Sequence, residues 1–446
     1  MKGVLLMFLV MLGSFTGGVF MPQSFGGETE SRLVGRVAVG DLVAYAYQEN
    51  PSIREVREAW REIVEQYRIT TGYPDPELKF TYFTVPIETR LGPQDWVASL
   101  NQKIPFPGKL TQAGKVVETE ARVAHIKLDR TVKSVIASVR RSFHELLYIR
   151  TAKKVVAQNL RLLEHLRKLG ETAYARDRAA LMDMVKAQSQ LGQIRYDGIL
   201  LDDLEQTEKT RLNGILNRAP NARIGTLVDE PFQPVVYRLK GLYKLAEANQ
   251  EDLRIARALV ERAGARAELA RYENLPDFNV GVSYSAIGHP DMPVRPDDSG
   301  RDGFGFQVGM TIPLWFDKNR GRVARAEAGV RKAKAAREVS ITEIRTRVHD
   351  LFFRLNNAKR LMVLYQDDLL PQAMNAMEIA ETWYREGEAS FSDFVETQSV
   401  YYNFQLSLAR ARADYGKVLA GLEQLVGQSA TQVPPPSEKK AEGGIK

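Results

Sequence analysis

The 446-residue chain contains no cysteine, which excludes disulfide frameworks, thiolate zinc sites, iron–sulfur clusters and cysteine nucleophiles. Histidine is scarce. The five residues, His125, His144, His165, His289 and His349, show no paired ligand spacing, and a lone helical histidine is ordinarily a surface or core residue. No phosphate-binding glycine loop stands out, because Gly303, Gly305 and Gly309 alternate within a strand-like pattern. Met374 and Met377 read as helix packing rather than as a copper site. No metal, no cofactor and no enzymatic activity are expected. An excess of one charge sign is also lacking: 62 basic residues against 55 acidic ones give +7, mixed along the same segments, so nucleic acid is not called for. What is present, 44% hydrophobic and 26% charged residues, describes an ordered chain.

Beyond residue 27 there is no run of about 20 apolar residues. Within the first 27, Lys2 precedes an uncharged stretch that is most apolar over Val4 to Leu12, and charge returns only at Glu28. That layout is a secretory signal cleaved near Gly26; a retained anchor helix over Gly3 to Gly27 is the alternative. No cysteine follows the apolar run, so lipidation of the mature chain is not expected.

Long helices dominate the rest. From about Lys109 to Leu169 there is no proline, and apolar residues recur at three-four spacing through Leu128, Val132, Val135, Val139, Phe143, Leu146 and Ile149. Such a helix would reach roughly 90 Å. A second long stretch, about Arg320 to Tyr384, is interrupted by Pro371, which predicts a kink. Shorter ones cover about Leu181 to Leu216 and Phe394 to Val426. Glu171 to Gln190 aligns without gaps on Glu381 to Val400, with identities such as Tyr174/Tyr384, Asp183/Asp393 and Gln188/Gln398. The expected organisation is therefore an internal two-fold repeat. It comprises a signal over 1–27, a first repeat over 28–217 with strands near 77–85 and 95–104, and a linker over 218–238. A second repeat follows over 239–428 with strands near 277–287 and 304–313, then a disordered tail over 429–446.

The four strand segments carry the functional information. Phe278, Val280, Val282, Tyr284 and Ala286 alternate with Asn279, Gly281, Ser283 and Ser285, and Phe304, Phe306, Val308, Met310 and Ile312 alternate with Gly305, Gln307, Gly309 and Thr311. The first repeat supplies Leu78, Phe80 and Tyr82, then Trp96, Ala98 and Leu100. Nine to eleven residues with one apolar and one polar face suit a tilted membrane-spanning strand; a soluble hairpin on a packed sheet wants the same alternation. Small polar inner faces and aromatic outer faces favour the membrane. Four strands cannot close a barrel, and an open edge in lipid leaves backbone groups unpaired, so closure calls for several chains. Three copies give twelve strands. The fold class expected is mainly α with a small membrane β-barrel contribution, closing as a trimeric 12-stranded barrel and α-helical tunnel.

Local signals agree with this plan. Asn50 as N-cap with Pro51 at the first helical position starts a helix. Pro105, Pro107 and Gly108 sit where strand must become helix, and Pro313 repeats the signal in the second half, so these read as structural junctions rather than a binding site.

The segments Asn50 to Ile53, Gln102-Lys103-Ile104-Pro105-Phe106-Pro107-Gly108-Lys109, Leu370 to Ala373 and Tyr384 to Val395, in this order and spacing, resemble the TolC-like outer-membrane efflux proteins over nearly the whole mature chain. The resemblance implies a homotrimeric exit duct in the outer membrane, without chemistry of its own, working with a periplasmic adaptor and an inner-membrane pump in efflux or type I secretion. The Pro-Phe-Pro-Gly-Lys stretch is most similar to members serving heavy-metal pumps of the resistance-nodulation-division type. It further implies a periplasmic tip at two helix turns, with Tyr174, Asp177, Tyr384, Gly387 and Ser390 as tip and adaptor-docking residues, and an aperture ring formed by Asp393 and Glu396. Some relatives lock the tip with a basic residue at the Ala389 position; alanine cannot make that bond, which leaves Arg176 or Arg178 as substitutes. The competing reading is an exported periplasmic coiled-coil scaffold or adaptor with no channel.

Overall fold

The computed structural model describes residue 30 and residues 33–174, 181–293 and 297–432. The expected signal, Asp177, Arg176 and Arg178 lie outside the described residues, as does the side chain of Tyr174. Two short helices open the chain, α1 (Val39–Glu49) and α2 (Pro51–Thr71), after a two-residue strand β1 (Arg36–Val37). Strands β2 (Glu77–Thr89) and β3 (Gly92–Ile104) lead into α3 (Lys109–Tyr174) and α4 (Leu181–Ile215). The same order then recurs. After β4 (Thr226–Leu227), which pairs in parallel with β1, come α5 (Leu239–Asn249), α6 (Glu251–Tyr272), β5 (Phe278–Ile287) and β6 (Gly303–Met310). The long helices of this half are α7 (Phe316–Val363), α8 (Leu370–Glu386) and α9 (Phe391–Val426).

The helix starts have local causes. Asn50 accepts hydrogen bonds through its side-chain oxygen from the N–H groups of Ser52 and Ile53, at 2.9 and 3.3 Å, and its amide nitrogen donates to the Ile215 carbonyl at the end of α4. One side chain therefore caps α2 and ties it to another helix. Gln250 caps α6 in the same way through Leu253 N–H, at 2.8 Å. Helix α3, with 66 residues, extends about 100 Å. It is the spine: α2 and α6 flank its β-sheet-proximal part, and α4 and α9 its distal part.

Pro371 disturbs the helix without ending it. It lacks an N–H to continue the helical ladder and its ring crowds the preceding turn. The chain answers with a π-helical turn over Leu364–Leu369, in which the Leu370 N–H reaches back to the Tyr365 carbonyl, joining α7 to α8 without a break.

Four apolar clusters among the described residues hold the helices, the smallest joining Val123 and Ile126 of α3 to Ala258 of α6. Leu242 and Ala246 of α5 pack on Ile344, Val348 and Leu355 of α7 and on Leu419 and Leu422 of α9. Leu42 and Ala46 of α1 pack on Val139, Phe143 and Leu146 of α3 with Leu212 and Leu216 of α4. Farther from the sheet, Ile149, Val156 and Leu163 meet Leu191, Ile194 and Phe394. The linker also packs, through Phe232 against Tyr415, ring centroids 4.8 Å apart. Ala430, placed by sequence in a disordered tail from Ser429, is fully buried, and its carbonyl accepts from Val236 N–H at 3.1 Å.

Candidate functional site

The four longer strands form one antiparallel sheet in the order β2-β3-β5-β6. Its register sorts side chains by face, because directly paired residues point to the same side. Leu78, Leu100, Val282 and Phe306 form one continuous row, and Phe80, Ala98, Tyr284 and Phe304 form the next. The opposite face carries Glu77, Asn101, Gly281 and Gln307, then Lys79, Ser99, Ser283 and Gly305. In these rows one face is apolar across all four strands and the other small or polar; Gln102, beside Val280 and Val308, interrupts the apolar face, and Val97 the polar one. The apolar face is bare: Phe306 is 79% exposed and Val308 83%. Both edges, β2 and β6, are open in the single chain. No helix among the described residues is long and apolar enough to cross a membrane.

Strand β2 runs four residues past the sequence expectation of 85, through Pro86, because it is an edge strand and its register shifts between Tyr82 and Ile87; a missing N–H costs little at such a place. Strand β6 stops at Met310, short of the expected 313.

At the strand–helix junction, Gly108 has φ +89°, and a Cβ there would lie 2.9 Å from the Tyr272 ring. Pro105, Pro107 and Gly108 are joined to the second half by Asp277, to which sequence reading gave no role beyond its place in the repeat. Its carboxylate accepts from Lys109 Nζ at 2.5 Å and Phe106 N–H at 3.1 Å, and lies 3.2 Å from Lys103 Nζ. Pro313 is held in turn by Asn319, whose amide nitrogen donates to its carbonyl at 3.2 Å.

At the far end, α8 terminates in a Schellman turn. Gly387 has φ +81°, a left-handed conformation that favours glycine, and the Glu388 N–H donates to the Trp383 carbonyl at 2.8 Å. Ser390 then caps α9: its hydroxyl accepts from Asp393 N–H, and the Asp393 carboxylate accepts from the Ser390 N–H and hydroxyl, at 3.2 and 2.7 Å. This is a capping box, written in the sequence as Ser-x-x-Asp. These bonds hold the Asp393 carboxyl below the usual carboxylate range. Asp393 and Glu396 are both exposed, whereas Phe394 between them is fully buried and stacks on Tyr384, ring centroids 6.3 Å apart. Lys186 of α4 donates to the Ser392 hydroxyl at 3.0 Å. Ala389 contributes only its backbone N–H, to Trp383.

Midway along the helices, His144 of α3 lies directly against Gly416 of α9, where a Cβ would stand 2.4 Å from the imidazole. Burial, then the charges of Arg140 and Lys417, push the His144 imidazole down to about 4 from its ordinary 6.5. It is neutral when folded at neutral pH, while the unfolded chain takes up a proton below about 6.5. Stability is therefore lost as pH falls from about 6.5 through about 4, by up to about 3 kcal/mol per chain. Replacing His144 with glutamine is expected to remove that part of the slope, read as the difference in Tm between variant and parent across this pH window.

No group of three or more His, Asp or Glu side chains that could hold a metal ion occurs among the described residues. The site consists of an amphipathic open-edged sheet, a proline-glycine junction and a capped helical tip. Together these are the features in which the chain is similar to outer membrane efflux proteins. Residues 242–428, from α5 through the end of α9, match the family model described as Outer membrane efflux protein. The chain is 24% identical over 306 residues to the pyoverdine export outer membrane protein OpmQ of Pseudomonas aeruginosa, a match spanning 65% of this chain and 61% of that relative. Among solved structures it resembles CusC, with TM-score 0.75 and 15% identity over 88% of this chain and 92% of that one. It also resembles a membrane protein from Pseudomonas aeruginosa, with TM-score 0.76 and 17% identity over 91% and 94%. The outer membrane protein VceC of Vibrio cholerae is similar too, with TM-score 0.71 and 17% identity over 88% and 96%.

Proposed function

We propose that three copies of this chain form a passive exit duct from the periplasm through the outer membrane, serving a tripartite efflux or type I secretion system. The observation that carries this reading is the sheet with one largely apolar face and two open edges. In lipid an unpaired edge is costly, so β6 of one copy would pair with β2 of the next until the ring closes at twelve strands. The family of residues 242–428 and the relatives' fold support an outer-membrane location. The long helices would continue the cylinder into the periplasm.

The tip residues Tyr174, Asp177, Tyr384, Gly387 and Ser390 are the proposed docking zone for an adaptor, whose binding shifts the closed tip towards an open one. Asp393 and Glu396 are the proposed aperture ring. In a supercoiled helix, residues a whole number of heptads apart share a face. Gly421 and Gln424 follow Asp393 and Glu396 by four heptads. They line a recess with Arg347 and Asp350. In the duct that recess would open to the lumen. Three copies would bring six carboxylates together as a cation-attracting constriction. Replacing Asp393 and Glu396 with alanine is expected to lower the cation preference of single channels in planar bilayers by several-fold at about 0.1 M salt. Unchanged selectivity would remove both residues from the lumen.

A further inference from the structure

The barrel-proximal face of the tunnel carries a charge arrangement opposite to the proposed aperture. A groove of 990 Å³ runs between α6 and α7, floored by Ala326, Gly329, Ala333 and Ala336 and walled by basic side chains. Some of those cations are neutralised locally. Arg262 and Arg266 share Glu120, Arg322 takes Glu273, and the acidic Asp252 is held by Arg130. Arg325 and Lys332 remain, lining the groove with no ion pair or hydrogen bond among the described residues, and Arg347, also without one, shares the field of Asp252 with Arg130; Glu343 is the single unpaired acid of the lining.

Arg345 pairs with Glu247 of α5 at 2.7 Å. Arg347 lies two residues on, about 200° round the helix from Arg345. Arg347 also lines, with Gly421 and Gln424, the recess that would open to the lumen of the duct. Counted from the start of α7 at Phe316, the three cations fall about 14, 24 and 47 Å along the helix from its barrel end.

We infer that Arg325, Lys332 and Arg347 form an electropositive belt inside the duct, just beneath the barrel, that selects small anionic solutes as cargo. The inference rests on the exit-duct reading. Nine unpaired cations from three copies, lining a low-dielectric wall, would concentrate anions and repel cations along this stretch. The duct then has two charge filters in series. The acidic tip sets the entrance, and the belt sets what moves on towards the exterior.

The test is the reversal potential of reconstituted protein in planar bilayers under a KCl gradient, with citrate as the anionic probe. Arg325→Gln/Lys332→Gln/Arg347→Gln is expected to shift the chloride-to-potassium permeability ratio towards potassium by about threefold at about 0.1 M salt, and to abolish block by millimolar citrate. Lys332→Glu alone, at an exposed position, should move the ratio in the same direction. Arg345→Gln, on the α5 side, should leave it unchanged. Conducting channels whose selectivity and citrate block are the same in parent and triple variant would overturn the belt while leaving the duct standing. A shift of equal size in Arg345→Gln would overturn the assignment of faces. Folded protein that inserts and never conducts, even with the tip loosened by Phe394→Ala, would overturn the duct and the belt with it.

Discussion

Arginine in place of Phe306 is expected to abolish assembly in the membrane, while arginine in place of the adjacent Gln307 is tolerated. Phe306 lies in the apolar row with Leu78, Leu100 and Val282, and Gln307 in the polar row with Glu77, Asn101 and Gly281. A charge on the lipid face of a barrel costs about 2–4 kcal/mol near the bilayer midplane, and a trimer bears that cost three times. One on the lumen face meets water. The amount of detergent-extracted oligomer in the membrane fraction should fall by an order of magnitude or more for Phe306→Arg and stay near the parent's for Gln307→Arg. Equal yields would mean that the apolar face does not meet lipid. The two positions are neighbours in sequence and in space, so local strand propensity cannot account for a difference between them.

Phe394→Ala is the second change with a large expected effect. Phe394 is fully buried among Ala380, Leu191, Ile194 and Tyr402, with the Tyr384 ring stacked on it just behind the Gly387 turn. Emptying such a site costs about 3–5 kcal/mol. Long helices loosen locally rather than all at once, so the loss should be concentrated at this end of the hairpin. Amide exchange over residues 381–400 is expected to speed up by about a hundredfold or more, with little change over α5 and α6. In bilayers the same variant should spend more time open. Unchanged exchange at the tip would show that Phe394 does not hold the hairpin closed.

These two residues also mark how far the sequence could be read. Alternation in Phe304 to Ile312 announces a two-faced strand, because the period of two is local. The start of α2 is equally legible in Asn50-Pro51, where cap and first helical residue are adjacent. The end of β2 was not, since Pro86 is compatible with a strand only at an edge, and edge position belongs to the sheet as a whole. Pro371 announced a disturbance without saying that a π turn would absorb it. Asp277 was silent in sequence because its partners Lys109 and Phe106 lie 168 and 171 residues away. The contact of His144 with Gly416 is hidden for the same reason. Asp393 shows a different kind of gap. Its capping partner Ser390 stands three residues before it, so its structural role was readable beside the lumen role that resemblance suggested. Both can hold, since the cap uses the carboxylate without burying it.

The measurement that tests the central claim most directly is the mass of the detergent-solubilised mature protein, with the detergent contribution subtracted, together with its circular dichroism. The account predicts a trimer that leaves the membrane only with detergent, with a predominantly helical spectrum and a minor strand component. A water-soluble monomer or dimer with the same spectrum would contradict it, and would make the chain an exported helical scaffold whose apolar sheet face is covered by something other than lipid.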